Sequence, residues 1–209
     1  MTSEVLPPLF PDEDVPVIVQ DVLDCCRDLK RPAPRVKRPE EDLSKQVYQK
    51  LVKIPRYRLG PLEPHIESWL PDIMHRADIR FSCGRGIECY FLFEAKRLFV
   101  TYPKSGKKDS LLSEYIHEGM MRFVNRHYAP FQHRSAMLGY VHDEMPSSAF
   151  QMLGTALSVQ SALLRGDGTL TESPLPFSSG IQETRHTLDD GLFVLFHLLV
   201  HVPPHLNAS

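Results

Sequence analysis

Residues 77–96 read ADIRFSCGRGIECYFLFEAK, and the spacing within this stretch decides the architecture. Ala77 to Cys83 alternates like a β-strand, Glu88 to Lys96 does the same, and Gly84-Arg85-Gly86 stands between them, which is a hairpin signal. With the turn centred on Gly86, antiparallel partners have numbers summing to 172. Ile79 then faces Phe93, Phe81 faces Phe91, Cys83 faces Cys89 and Ala77 faces Ala95. Side chains alternate across a sheet, so these apolar pairs share one face, which is expected to be core. The same register sets Asp78 opposite Glu94, Arg80 opposite Leu92, Ser82 opposite Tyr90 and Arg76 opposite Lys96 on the second face, which is expected to hold the charge.

Directly opposed residues bring their Cβ atoms to roughly 4.5–5.5 Å, and like charges so placed destabilise the pair unless something lies between them. A divalent cation removes that cost. Magnesium takes oxygen ligands at roughly 2.0–2.1 Å and keeps several waters, so two carboxylates and a backbone carbonyl suffice for one ion. Lys96, two residues beyond Glu94, projects to the same side, where an ammonium can orient a hydroxide or stabilise a pentavalent phosphate. The chemistry this predicts is metal-assisted phosphodiester hydrolysis.

Working outward, Val19, Val22, Leu23 and Cys26 recur at helical spacing within 17–30, and a second helix is expected over 40–54, with Val47, Leu51 and Ile54 as its apolar stripe. Glu40, Glu41 and Asp42 occupy its first turn, where the helix dipole favours carboxylates. Residues 1–16, with four prolines, read as an extended, loosely packed arm, and 55–76 gives no clear pattern. Beyond the hairpin, a lysine-rich loop over 104–109 leads to a helix over 111–127, a buried strand over 135–142, a helix over 148–164 and a last apolar run over 191–202, strand or buried helix, which Val200, Val202 and the flanking prolines tilt towards strand. This order predicts one α/β domain, a mixed sheet flanked by helices.

The chain of 209 residues is long enough for one full core, and with 42% hydrophobic and 24% charged residues it is neither disordered nor, at a net charge of −2, a general nucleic-acid coat. Any nucleic-acid contact must be local. No apolar stretch is long enough to span a membrane or serve as a signal peptide, so a soluble cytoplasmic protein is expected, with no membrane partner. The cysteines form no CxxC pair, which argues against structural zinc, and Cys83 and Cys89 are expected to stay as thiols.

Asp78, a gap of fifteen residues, then Glu94-Ala95-Lys96 at the end of an apolar strand resembles the PD-(D/E)xK, restriction-endonuclease-like nucleases. The order of elements resembles them too, with an acidic helix before the motif and a helix and strand after it. The resemblance spans about half of the chain or more. It implies a restriction-endonuclease-like fold, catalysis by Asp78, Glu94 and Lys96, and a Mg²⁺ or Mn²⁺ ion held by Asp78, Glu94, the Ala95 carbonyl and a first-helix glutamate. That glutamate falls on Glu41, or on Glu40 one position earlier. Ala77 departs from the family's proline. The implied substrate is nucleic acid, more readily DNA than RNA, in a setting such as bacterial defence or repair.

With so little positive charge, a homodimer or a partner protein is expected to complete the nucleic-acid surface. A catalytically silent subunit of the same fold is the rival reading. Arg97, Lys104, Lys107 and Lys108 are candidate phosphate contacts, as are Arg122 and Arg126, against the plainer reading of solvated surface charge. His186 is a candidate substrate contact ahead of the last strand, and His197 and His201 are expected to be structural. Trp69 is expected to anchor packing.

Overall fold

The computed structural model of the protein describes residues 10–33, 38–70, 73–84, 89–102, 104–129, 132–176 and 180–204, with side chains of 67–70 and 73–76 outside that set. A seven-stranded sheet runs in the order β1-β2-β3-β6-β9-β8-β7. Its strands are β1 (Glu63–Leu70), β2 (Ile73–Ser82), β3 (Tyr90–Leu98), β6 (Arg134–Val141), β7 (Thr171–Glu172), β8 (Ile181–Leu188) and β9 (Gly191–His201). A small hairpin joins β4 (Val100–Thr101) to β5 (Lys108–Asp109). β3, β6 and β9 are parallel, and antiparallel strands flank them on both sides. The parallel strands are buried on both faces, as parallel strands require, and in β6 every residue after Arg134 is buried.

Helices cover both faces. Layer one holds α1 (Val15–Cys25) and α2 (Pro39–Leu51). Val15, Ile18, Val19 and Val22 of α1, with Leu43, Val47 and Leu51 of α2, meet Phe91, Phe93 and Ala95 of β3. Pro16 and Pro39 sit in first turns, where a missing N–H costs nothing. Layer two holds a segment that begins as α4 (Leu112–Glu114), passes through a π-helical stretch Tyr115–Met120 and ends as α5 (Met121–Val124), and then α6 (Pro146–Val159). Tyr115, Ile116, Met120 and Phe123 pack there on Leu92, Met137 and Leu195. The approach is close: a Cβ at Gly139 would collide with Leu199 and lie 2.9 Å from Leu98.

The predicted register is found. Ile79 pairs with Phe93, Arg80 with Leu92, Phe81 with Phe91 and Ser82 with Tyr90. Several expectations need correction. The second face of the hairpin is not an open charged surface, because the 112–124 segment buries Tyr90 and Leu92. The β2–β3 ladder stops at Ile79–Phe93, so alternation does not carry on to Ala77, which packs in layer two and not opposite Ala95. The arm is not loose throughout: Phe10 is buried against layer one and α1 already starts at Val15. Residues 55–70 form α3 (Pro55–Leu59) and the edge strand β1. β8 has no strand signal in the sequence because its polar residues Glu183, Thr184 and His186 are buried, which defeats a reading by alternation. Cys83 and Cys89, expected as thiols, are joined as a disulfide across the hairpin. The turn itself and the side chain of Trp69 lie outside the described residues.

A buried polar chain ties layer two to the sheet. His186 Nδ1 donates to the Leu164 carbonyl at 2.7 Å, so in the neutral ring its Nε2 accepts from the Thr184 hydroxyl at 2.8 Å. Thr184 then accepts from His197 Nε2 at 2.9 Å, and His197 Nδ1 accepts from the Tyr115 hydroxyl at 2.9 Å. Every proton in the chain is assigned with both rings neutral. Burial drives the His197 pKa down to about 3, and burial with the Arg31 and Arg97 charges drives that of His142 to about 4. An unfolded histidine titrates near ~6.5. Below that pH the unfolded chain binds protons the folded one refuses, so stability is present above about 6.5 and is lost as pH falls towards about 3. Urea midpoints measured from pH 7 to pH 4 should therefore fall steeply, and His197→Gln should lower the midpoint at pH 7 while flattening the slope. An unchanged slope in that variant would place the acid sensitivity elsewhere.

Candidate metal centre

β3 alternates through the region of interest. Phe93 and Ala95 face layer one, so Leu92 and Glu94 face layer two, beneath the 112–124 segment. Asp78 enters from β2 where the backbone ladder has ended, and its Oδ2 accepts the Ala95 amide at 2.7 Å. A side-chain carboxylate thus takes over the bond that a strand partner would make. Glu94 is only 2% exposed. Its Oε1 accepts hydrogen bonds from Lys96 Nζ and, at 2.9 Å, from an Arg122 guanidinium nitrogen. Its Oε2 is buried and receives none among the described residues. Arg122 also donates to the Tyr128 hydroxyl at 2.7 Å, and its guanidinium carbon lies 5.4 Å from the centre of that ring.

Burial pushes the Asp78 carboxyl well above the usual range, and the Glu94 charge and a direct carboxyl–carboxyl contact push the same way; Lys96 and the Ala95 amide oppose them. The two acids thus lie side by side, Glu94 buried and Asp78 half-buried. An orphan carboxylate oxygen beside a second carboxylate is a donor set that suits a hard divalent cation. Asp78, Glu94 and the Ala95 carbonyl would hold it. Among the described residues no group of three or more His, Cys, Asp or Glu converges on a common point.

The α2 acids are placed differently from the other candidates. Glu41 pairs with Arg38 at 2.6 Å, and Glu40 Oε2 lies 3.0 Å from Arg97 Nε. Of the two, Glu40 is the one that reaches the sheet. Arg97 therefore works on the layer-one side of β3, opposite to Lys96. Lys104, Lys107 and Lys108 are exposed on the β4–β5 hairpin, where Lys107 pairs with Asp109 at 3.1 Å. Arg126 is held by Asp190 and by the carbonyls of Ala129 and Gln132. His186, expected as a substrate contact, lies within β8 and is spent in the buried polar chain. His201 is exposed at the end of β9.

Sequence reasoning places Arg122 among possible phosphate contacts and misses its bond to Glu94. The two are 28 residues apart, and no spacing rule links them. A cavity of about 570 Å³ beside α6, lined by Ser147, Phe150, Gln151, Gly154, Gln182 and Leu199 among others, includes none of these charged groups. Cavity size and titratable chemistry point to different places, and the convergent charges define the candidate centre.

No family model, curated protein or solved structure matches this chain.

Two opposed carboxylates without an ion between them cost stability, which gives a direct check. Asp78→Asn keeps an oxygen for the Ala95 amide and removes one charge. In chelator it should raise the melting temperature, by roughly 2–4 °C for a gain of about 1 kcal/mol in a domain of this size. Glu94→Ala should do the opposite, because it strands Lys96 and Arg122 without their acceptor. Differential scanning calorimetry in EDTA reads both, and a destabilised Asp78→Asn would mean that the carboxylates do not repel.

Proposed function

We propose that this chain is a metal-dependent nuclease of the PD-(D/E)xK, restriction-endonuclease-like type, hydrolysing phosphodiester bonds and acting on DNA. The observation that carries this reading is the contact of Asp78 with Glu94 at the end of the β2–β3 ladder, with the Lys96 amine on Glu94. The element order supports it as well: an acidic helix precedes the motif, and after β3 and the small β4–β5 hairpin the helical 112–124 segment leads back to a parallel strand, β6.

Asp78 and Glu94 would hold a Mg²⁺ or Mn²⁺ ion together with the Ala95 carbonyl. When bound, such an ion supplies Lewis-acid polarisation of the phosphoryl oxygen and a water that ionises near neutral pH. The residues of the chain do the rest. Asp78 is fixed by the Ala95 amide, so its second oxygen keeps one direction. Glu94 holds the Lys96 ammonium beside the acids, where it can orient the attacking water and stabilise charge on the pentavalent phosphate. The 112–124 segment covers the Leu92 and Glu94 face of β3, with Arg122 reaching Glu94 from it. At a net charge of −2, a second copy or a partner protein supplies the remaining positive surface. A place in DNA repair or anti-phage defence rests on the family resemblance alone.

One observation favours a second reading, a catalytically silent subunit that uses the same fold for assembly. Lys96 and Arg122 together already neutralise Glu94 without any ion.

Incubation of supercoiled plasmid and of single-stranded DNA with Mg²⁺ or Mn²⁺ decides between them. Wild type should cut at least one substrate, and Asp78→Ala and Lys96→Ala should each reduce the rate by about 100-fold or more. Wild type that cuts neither and takes up no divalent ion would hand the case to the silent subunit.

A further inference from the structure

Resting on the nuclease reading, we infer that Arg122 is the internal counter-ion that a metal displaces from Glu94, and that the displaced guanidinium becomes the phosphate contact of the site. Glu94 Oε1 carries two cationic donors, Lys96 and Arg122, while Oε2 has none among the described residues. The structure therefore shows a carboxylate whose charge is balanced from one side only. A divalent ion between Glu94 and Asp78 would add two positive charges beside the two cations already on that carboxylate, and their mutual repulsion favours release of one of them.

Arg122 is the one placed to yield. Its side chain is 32% exposed, against 15% for Lys96. Lys96 belongs to β3 itself, and its stem runs beneath Gly119, where an added Cβ would come within 3.7 Å of the lysine Cγ. Arg122 hangs from the short α5, two residues from its end. It also has a second tether. The Tyr128 hydroxyl at 2.7 Å and the Tyr128 ring keep the guanidinium at the mouth of the site after Glu94 lets go. A planar guanidinium so held, partly in solvent and beside a metal, has the fork of donors that fits two phosphate oxygens.

The arrangement makes metal and phosphate binding mutually dependent. Without the ion, the Arg122 nitrogen that faces the site, Nη1, is held by Glu94 and Tyr128. With it, the site gains a metal and a free guanidinium together.

Titration calorimetry with Mn²⁺ on wild type, Arg122→Gln, Arg122→Lys and Glu94→Gln tests this, alongside fluorescence anisotropy of a duplex of about 20 base pairs with Ca²⁺ present at several salt concentrations. Arg122→Gln should bind Mn²⁺ about fivefold or more tightly than wild type, because the competitor is gone. Arg122→Lys, which keeps the charge without the planar fork, should fall between them and guards against a folding defect in the glutamine variant. The salt slope of duplex binding should drop by about one in Arg122→Gln. Mn²⁺ affinity that is equal or weaker in Arg122→Gln overturns the inference and leaves the nuclease reading standing. No Mn²⁺ uptake by wild type, or uptake that survives Glu94→Gln, removes the two-carboxylate metal site and both proposals with it.

Discussion

Two carboxylates in contact, the buried Glu94 and the half-buried Asp78, are the constraint on which the proposed chemistry of this protein depends. Such a pair persists in a fold only if neighbours offset its repulsion, and each neighbour here has an identifiable source. The Ala95 amide reaches Asp78 because the β2–β3 ladder has ended and freed that donor. Lys96 reaches Glu94 because the two are two residues apart on one strand and project to the same side. Arg122 arrives from a different layer altogether. The first two contacts are local to the hairpin, and the third exists only once layer two has docked.

That division explains what could be read from the sequence. The hairpin register comes from alternation and a glycine turn, and it places Asp78, Glu94 and Lys96 on one side of the sheet. The buried strands β6 and β9 announce themselves as short apolar runs. Hidden from such a reading is whatever a third element decides. The face bearing Leu92 and Glu94 has the pattern of a charged surface, since only the docking of the 112–124 segment makes it a floor. β8 has the composition of a linker because its buried Glu183, Thr184 and His186 are satisfied by partners far away in sequence, such as Leu164 and His197. Family analogy favours Glu41 over Glu40, yet the roll of α2 sets which acid faces the sheet, and Glu40 is the one that meets Arg97.

The side of β3 on which a residue falls matters more than its distance along the chain. Lys96 and Arg97 are neighbours in sequence and serve different layers: the lysine neutralises Glu94 under layer two, and the arginine neutralises Glu40 on layer one. A strand buried on both faces by helices can keep two charged residues in succession only if each face brings its own acid. α2 provides one and β3 itself the other. The acids at the start of α2 therefore have a structural duty, capping the dipole and pairing arginines, that is complete without any metal.

The π-helical stretch Tyr115–Met120 is the joint between the stable core and the chemistry. At its start, Tyr115 is anchored to His197 in the centre of the sheet through the buried polar chain. Near its end, Gly119 lets the backbone lie directly over Met137 and Lys96, where a Cβ would collide with the methionine. A π turn holds more residues per turn than an α-helix, so the residues beyond it are rotated by about 100° for each residue gained. Arg122 comes two residues after the stretch and reaches Glu94 from layer two. The segment that carries the irregularity thus brings both the anchor to the sheet, Tyr115, and the second cation of Glu94, Arg122.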